Sequence, residues 1–449
     1  VTTTGGRRRG LLAVVAVAAS SALVLSGCTD PLGSVRDDAG PATAPTATAP
    51  PSTSGPTVDP EVVRVEELQA LLEERSEAVL ARDRERFAAT LDDPGSGFGL
   101  RQLAVFDNLV RLPLGTFDYG TPEPAPALSV ERAAEVGPDA WVARVEGRYT
   151  LAGWDREPRT YETHLTAVQR PDGWKLADDA DGGTQPQLWD LPDLQVDSSR
   201  STLVVASGTV RDPRAYLRLG DRAVARVKQV WTRPWGSRVV LVVPATAGEM
   251  AEQLGQDAAS VEQVAAVTDG SLGTHGRAGS DRVVVNPQAF GRLQPTGQQV
   301  VVTHETTHVA VRASTTRPVP LWLSEGLADY VGYSGLDLPR TAIADALLDR
   351  VREGDGPTAL PTERDFDPAT STIAPSYNAA WLAACRIADR HGQQDLVRFY
   401  LRAATRPSAS APPGDPEQNT REAFASVLGT SEDEFTRDWL SYLRRLSRG

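Results

Sequence analysis

The stretch VVTHETTHVAVRAS, residues 301–314, holds two of the chain's five histidines, His304 and His308, with Glu305 between them. On a helix, residues four apart share a face. Both imidazoles then lie on one side of a single turn and can reach one metal ion at about 2.0–2.1 Å each. Glu305 sits about 100° further round the helix, beside such an ion without ligating it, where a general base for a metal-activated water belongs. The helix is expected to begin at Thr296, with Thr296 and Gln299 forming a capping box. Residues 300–303 are β-branched and locally prefer a strand, so this helix has to be buried to be stable.

Further along, RPVPLWLSEGLADYVGY (317–333) reads as a loop punctuated by Pro318 and Pro320, then a second helix carrying Glu325 and Asp329 one turn apart. Glu325 would complete a set of three protein ligands, which leaves one metal position open for water or substrate. Asp329 can accept a hydrogen bond from the outer nitrogen of a ligating histidine and so fix its tautomer.

HETTH followed by WLSEGLADY closely resembles the gluzincin zinc metallopeptidases, in particular the bacterial peptidase MA-like group, over about residues 199–446. The resemblance implies Zn2+ ligands at His304, His308 and Glu325, a catalytic base at Glu305 and a supporting acid at Asp329. Gluzincins commonly supply a tyrosine from a later helical segment to stabilise the oxyanion. APSYNAAWLAACRIADRHG (374–392) places Tyr377 at the start of such a segment, where a core or capping role is the alternative. His391 shares the segment but precedes Gly392 near a helix end, where it favours the helix dipole. Aminopeptidases of the superfamily carry Gly-x-Met-Glu-Asn before the zinc helix, the glutamate anchoring the free amine. Here DRVVVNPQAFGRL (281–293) keeps Asn286, on what is expected to be the edge strand, without the acidic anchor. Cleavage within a peptide or protein chain is therefore expected, and the segment can pair with an extended peptide as an added strand.

The amino terminus is legible on other grounds. GGRRRG (5–10) precedes a 15-residue apolar run, LLAVVAVAASSALVL, and then LSGC, ending at Cys28. The run is short for a membrane span and suits a signal peptide, and LSGC resembles the lipobox of bacterial lipoproteins. Residues 1–27 are thus expected to be a signal peptide and Cys28 the lipidated end of the mature chain, anchored in the cell membrane on its extracytoplasmic face. Residues 28–60 are dense in Pro, Thr and Ala, with too little apolar surface to offset their ordering entropy, and read as a tether. The remaining cysteine, Cys385, lies in an apolar helical segment and reads as a buried thiol. A net charge of -13 without a basic stripe excludes nucleic acid as a partner.

Residues 61–192 read as an accessory unit. A long helical run over residues 62–91 has Leu68, Leu71, Leu72, Val79 and Leu80 inward, and a second helix is stopped by Pro113. Strands follow, with a PDG turn at residues 171–173. Helices ahead of a curved antiparallel sheet resemble the nuclear-transport-factor-like cone fold, and FDNLVRLPL with RPDGWKLADD resembles a domain found ahead of peptidase-like domains in bacterial exported proteins. His164 and Asp155 are the members that could serve a pocket, but neither has a partner spacing, and both are expected at the surface or in hairpins. Residues 199–449 read as the second domain: strands and helices alternating to residue 290, then helices, with a second capping box at Ser431 and Glu434. The fold expected is α+β, a cone domain followed by a gluzincin-type domain with a mixed sheet and a mostly helical C-terminal half. The function expected is a membrane-anchored zinc endopeptidase. The competing reading is a peptide- or protein-binding lipoprotein that keeps the fold without turnover.

Overall fold

The computed structural model describes residues 59–273, 276–367, 373–405 and 415–448. The expected signal peptide, Cys28 and nearly all of the tether lie outside the described residues.

Helix α1 (Pro60–Ala81) opens with proline at its first position and the Asp59 carboxylate accepting from the Glu61 amide. The run expected to continue it breaks at Arg82, which turns left-handed (φ 58°), and α2 (Arg84–Ala89) restarts on Asp83. Leu68, Leu72 and Val79 are buried as expected, but Leu80 is 48% exposed. Arg75 is buried on the same helix, donating to Thr90 and Gln102. Helix α3 (Gly97–Leu109) ends before Pro113. Strands β1 (Leu114–Tyr119), β2 (Glu123–Pro124), β3 (Trp141–Leu151), β4 (Arg159–Arg170) and β5 (Gly173–Asp178) follow, with α4 (Val130–Val136) ahead of β3. They form an antiparallel sheet in the order β1-β3-β4-β5, with β2 on β3. The sheet curls into a half barrel. Buried and exposed residues alternate along most of β3, so one face carries the core. Trp189 enters that core edge-on against Phe117, Tyr149 and Tyr161, at ring centroid distances of 5.6, 5.0 and 5.3 Å.

The second sheet contains β6 (Gln195–Ser198), β7 (Thr202–Ala206), β8 (Val239–Val243), β9 (Ala266–Asp269) and β10 (Arg282–Val285), interleaved with α5 (Pro213–Val230), α6 (Ala247–Leu254) and α7 (Ala258–Val261). The order is β6-β7-β8-β10-β9, with β7, β8 and β10 parallel and antiparallel strands at both edges. Every residue of β7, β8 and β10 is buried, as continuous apolar runs covered on both faces require. On one face Val204, Leu241 and Val283 join the core of the helical half. On the other, Leu203, Val205, Val240, Val242 and Val284 join Trp189, Leu191 and the core of the first sheet. The boundary expected between residues 192 and 199 therefore does not separate two cores, and the second sheet already begins at Gln195.

Asp155 and His164 lie in the β3–β4 hairpin, one of the two expected placements, though not at the surface, and the placement of Asn286 is corrected. Asp155 is not a surface residue: its side chain is 1% exposed and pairs with Arg282 of β10 at 2.6 and 2.7 Å. His164 has a side chain only 11% exposed. Asn286 is not on an edge strand either. It follows the interior strand β10 and is fully buried; its carboxamide donates to the Val261 carbonyl and caps α8 (Pro287–Gly291). The edge strand beside β10 is β9.

The remaining elements are helical: α9 (Pro295–Arg312), α10 (Leu321–Tyr333), α11 (Arg340–Ile343), α12 (Asp345–Glu353), α13 (Ile373–His391), α14 (Gln393–Ala404), α15 (Pro416–Ala423) and α16 (Glu432–Leu446). Ser431 and Glu434 form the expected capping box on α16. Cys385 is buried, and burial pushes its thiol up to about 12. Among the described residues, no helix is long and apolar enough to cross a membrane.

Candidate metal centre

Helix α9 starts one residue before the expected point. Gln294 is its N-cap without a side-chain cap bond, and Pro295 occupies the first turn. The Thr296–Gln299 box does not form because Gln299 faces α5, accepting from Arg222 (2.6 Å) and donating to the Leu219 carbonyl (3.1 Å). From Gln299 to Val311 every residue of α9 is buried. The threonines survive burial by donating one turn back: Thr303 to Gln299, Thr306 to Val302 and Thr307 to Thr303, at 2.6–2.8 Å.

Helix α10 crosses α13 at close range, and Gly326 permits it. A Cβ at residue 326 would lie 2.4 Å from the Ala380 carbonyl oxygen. Ala379, Ala380, Ala383 and Ala384 present a small-residue surface to this region, and Glu325 turns toward α9.

Three donor groups converge there. His304 Nε2 lies 3.1 Å from His308 Nε2 and 3.1 Å from Glu325 Oε2, while His308 Nε2 lies 3.5 Å from Glu325 Oε1. Ligands arranged tetrahedrally about 2.0–2.1 Å from a zinc ion stand about 3.3 Å from one another; the two imidazole nitrogens are near that spacing, and the Glu325 carboxylate faces each of them with a different oxygen, Oε2 toward His304 and Oε1 toward His308. His304 Nδ1 faces Asp329 at 2.8 Å, and a single Nε2 cannot donate to both His308 and Glu325. Glu325 Oε1 and Glu305 Oε1 are both buried without a hydrogen-bond partner, which suits a ligand oxygen and a base awaiting a proton. The His304, His308 and Glu325 group can thus hold a metal ion.

Thr268 of β9 was not singled out by the sequence. Its hydroxyl lies 2.7 Å from Glu305 Oε2 and donates to it, fixing the carboxylate with Oε1 free. A lone threonine in VTDG, 37 residues upstream of Glu305, carries no pattern that signals this.

The charges divide unequally. Burial pushes the Glu305 carboxyl above its usual range, against the two imidazoles and Thr268. Burial acts on Glu325 as well, but His308 and His304 more than offset it and lower that carboxyl to about 2. Burial opposes a charged His304, yet Asp329 and Glu325 hold its pKa above the usual imidazole range. Glu325 is thus the firm anion, and Glu305 the carboxylate biased toward accepting a proton.

The fold brings His304, Glu305, His308, Glu325 and Asp329 into one buried cluster. Tyr377 is buried in α13, a helix packed along α10, with its ring edge-on to Phe366 at 5.2 Å. His391 ends α13 before Gly392 (φ 90°), away from this group, and burial lowers its pKa. Compared with known proteins, the chain matches no protein family and no curated sequence.

Proposed function

We propose that this chain is a gluzincin-type zinc metallopeptidase of the peptidase MA-like group, preceded by a nuclear-transport-factor-like accessory unit. It is held by lipid at Cys28 on the extracytoplasmic face of the cell membrane. The observation that carries the reading is the buried convergence of His304, His308 and Glu325: the two Nε2 atoms stand 3.1 Å apart, and the carboxylate reaches them at 3.1 Å through Oε2 and at 3.5 Å through Oε1, with Glu305 Oε1 left without a hydrogen-bond partner. A zinc ion held by His304, His308 and Glu325 supplies Lewis acidity toward a peptide carbonyl and lowers the pKa of water. Asp329 keeps the proton of His304 on Nδ1, so that Nε2 presents its lone pair. Glu305, held by Thr268 at Oε2, takes a proton at Oε1 and returns it to the leaving amine. Tyr377 is the proposed donor to the oxyanion.

The substrate is a peptide or protein cleaved internally. Residues 281–293 contain no glutamate in the place of the amine anchor, and the Asn286 side chain is spent on capping α8. A binding protein that keeps the metal without turnover is the second reading, supported by the deep burial of the cluster.

Elemental analysis tests the ligand assignment. Purified wild type should hold one zinc per chain. His304→Ala and Glu325→Ala should lose it, and Glu305→Gln should keep it because Glu305 is a base and not a ligand. Stoichiometric zinc in both ligand variants would overturn the assignment.

A further inference from the structure

We infer that Arg159, on the first sheet, is a positioning residue for the general base, acting through the edge strand β9; this rests on the peptidase reading above. Thr268, which holds Glu305, sits on a four-residue strand paired on one side only, with β10. Such a strand has little of its own to resist sliding along α9. Its neck, where β9 leaves and β10 returns, is fixed instead by guanidinium groups. Arg159 Nη2 bonds the Asp269 carboxylate, while Nη1 reaches the Asp269 carbonyl at 3.5 Å and the Ser280 carbonyl at 3.4 Å. One side chain therefore ties the last residue of β9, next to Thr268, to the segment that leads into β10. Arg312, in the last turn of α9, donates to the Gly270 carbonyl at 2.6 Å and to the Asp281 carboxylate at 2.9 and 3.2 Å. Arg282 of β10 is locked to Asp155 from the first sheet.

The neck is thus anchored to α9 at one point and to the first sheet at two. Arg159 and Asp269 side chains are 19% and 28% exposed, so solvent screens this pair only in part. Releasing Arg159 frees Asp269 and lets Thr268 shift relative to Glu305. A misplacement of about 1 Å can cost about 10²-fold in rate. The accessory unit in this account sets the reactive geometry of a residue on a helix it does not contain.

The test uses the full chain, with zinc content, peptide-cleavage kinetics and amide hydrogen exchange measured on the same samples. Arg159→Gln should lower kcat about 10- to 100-fold, leave KM and zinc stoichiometry near wild type, and speed exchange in β9. Arg159→Lys should recover part of the loss. The exchanged pair Arg159→Asp with Asp269→Arg should do better than either single change. Arg144→Gln, which removes exposed pairs with Glu123 and Glu162 in the same sheet, should change nothing. Wild-type kcat together with wild-type exchange in Arg159→Gln would overturn the inference, and so would zinc loss parallel to the activity loss. If wild type cleaves no peptide, the peptidase reading falls, and β9 exchange decides whether Arg159 positions the strand: faster exchange supports it and unchanged exchange refutes it.

Discussion

Thr268 has one hydroxyl proton, and the fold sets it nearest Glu305 Oε2, at 2.7 Å, with the Glu305 carbonyl oxygen further off at 3.1 Å. Thr268→Val keeps nearly the same shape while leaving a buried carboxylate oxygen without a partner. An unmet buried acceptor costs about 1–3 kcal/mol, and the carboxylate would rotate or draw in water to recover it. Under the peptidase reading, Thr268→Val should lower kcat by about tenfold or more, with zinc content unchanged. Thr268→Ser, which keeps the donor, should retain most of the rate. Steady-state kinetics on the three proteins checks this, and equal kcat in wild type and Thr268→Val would remove Thr268 from the site. The residues read from the sequence, His304, Glu305, His308, Glu325 and Asp329, come from two segments in which helical periodicity alone fixes which side chains share a face. Thr268 comes from a strand whose place beside α9 depends on the whole sheet.

At the scale of elements, the α10–α13 crossing places Glu325. Gly326→Ala would set a methyl group 2.4 Å from the Ala380 backbone oxygen, an atom that cannot move without moving α13. Overpacking of this kind costs about 1–3 kcal/mol. The helices should separate, so Gly326→Ala should lower both the thermal midpoint and zinc affinity, measurable by calorimetry and by competition with a chelator. Unchanged zinc affinity would show that the crossing does not position Glu325. Most helices and strands were legible because their apolar periods are regular; VVLVV reads as a strand, and the structure buries every residue of it. Three local readings failed for identifiable reasons. Arg82 breaks the first helix where no proline or glycine marks a stop. Gln299 is drawn from a cap to α5 by Arg222. Asn286 follows an interior strand, not an edge one, because β9, formed by the antiparallel stretch before it, takes the edge.

The whole molecule is less divisible than its sequence suggests. The sequence reads as two units, residues 61–192 and 199–449, but the covered face of the second sheet is visible only in three dimensions. Leu203, Val205, Val240, Val242 and Val284 all pack into the core shared with the first sheet. A fragment of residues 199–449 would expose these side chains, together with an Arg282 deprived of Asp155. It should aggregate or bind a hydrophobic dye and should lack a cooperative thermal transition; a soluble fragment that melts cooperatively and holds one zinc would contradict the shared core. The central claim, that the metal centre hydrolyses peptides with Glu305 as base, meets its most direct test in one comparison. Zinc-loaded wild type and Glu305→Gln are incubated with a broad peptide pool, and the products are followed by mass spectrometry. The account predicts internal cleavage by wild type and a rate about 10²–10⁴-fold lower in Glu305→Gln, with equal zinc in both. Cleavage at the same rate by both proteins, or none by zinc-loaded wild type, would contradict it.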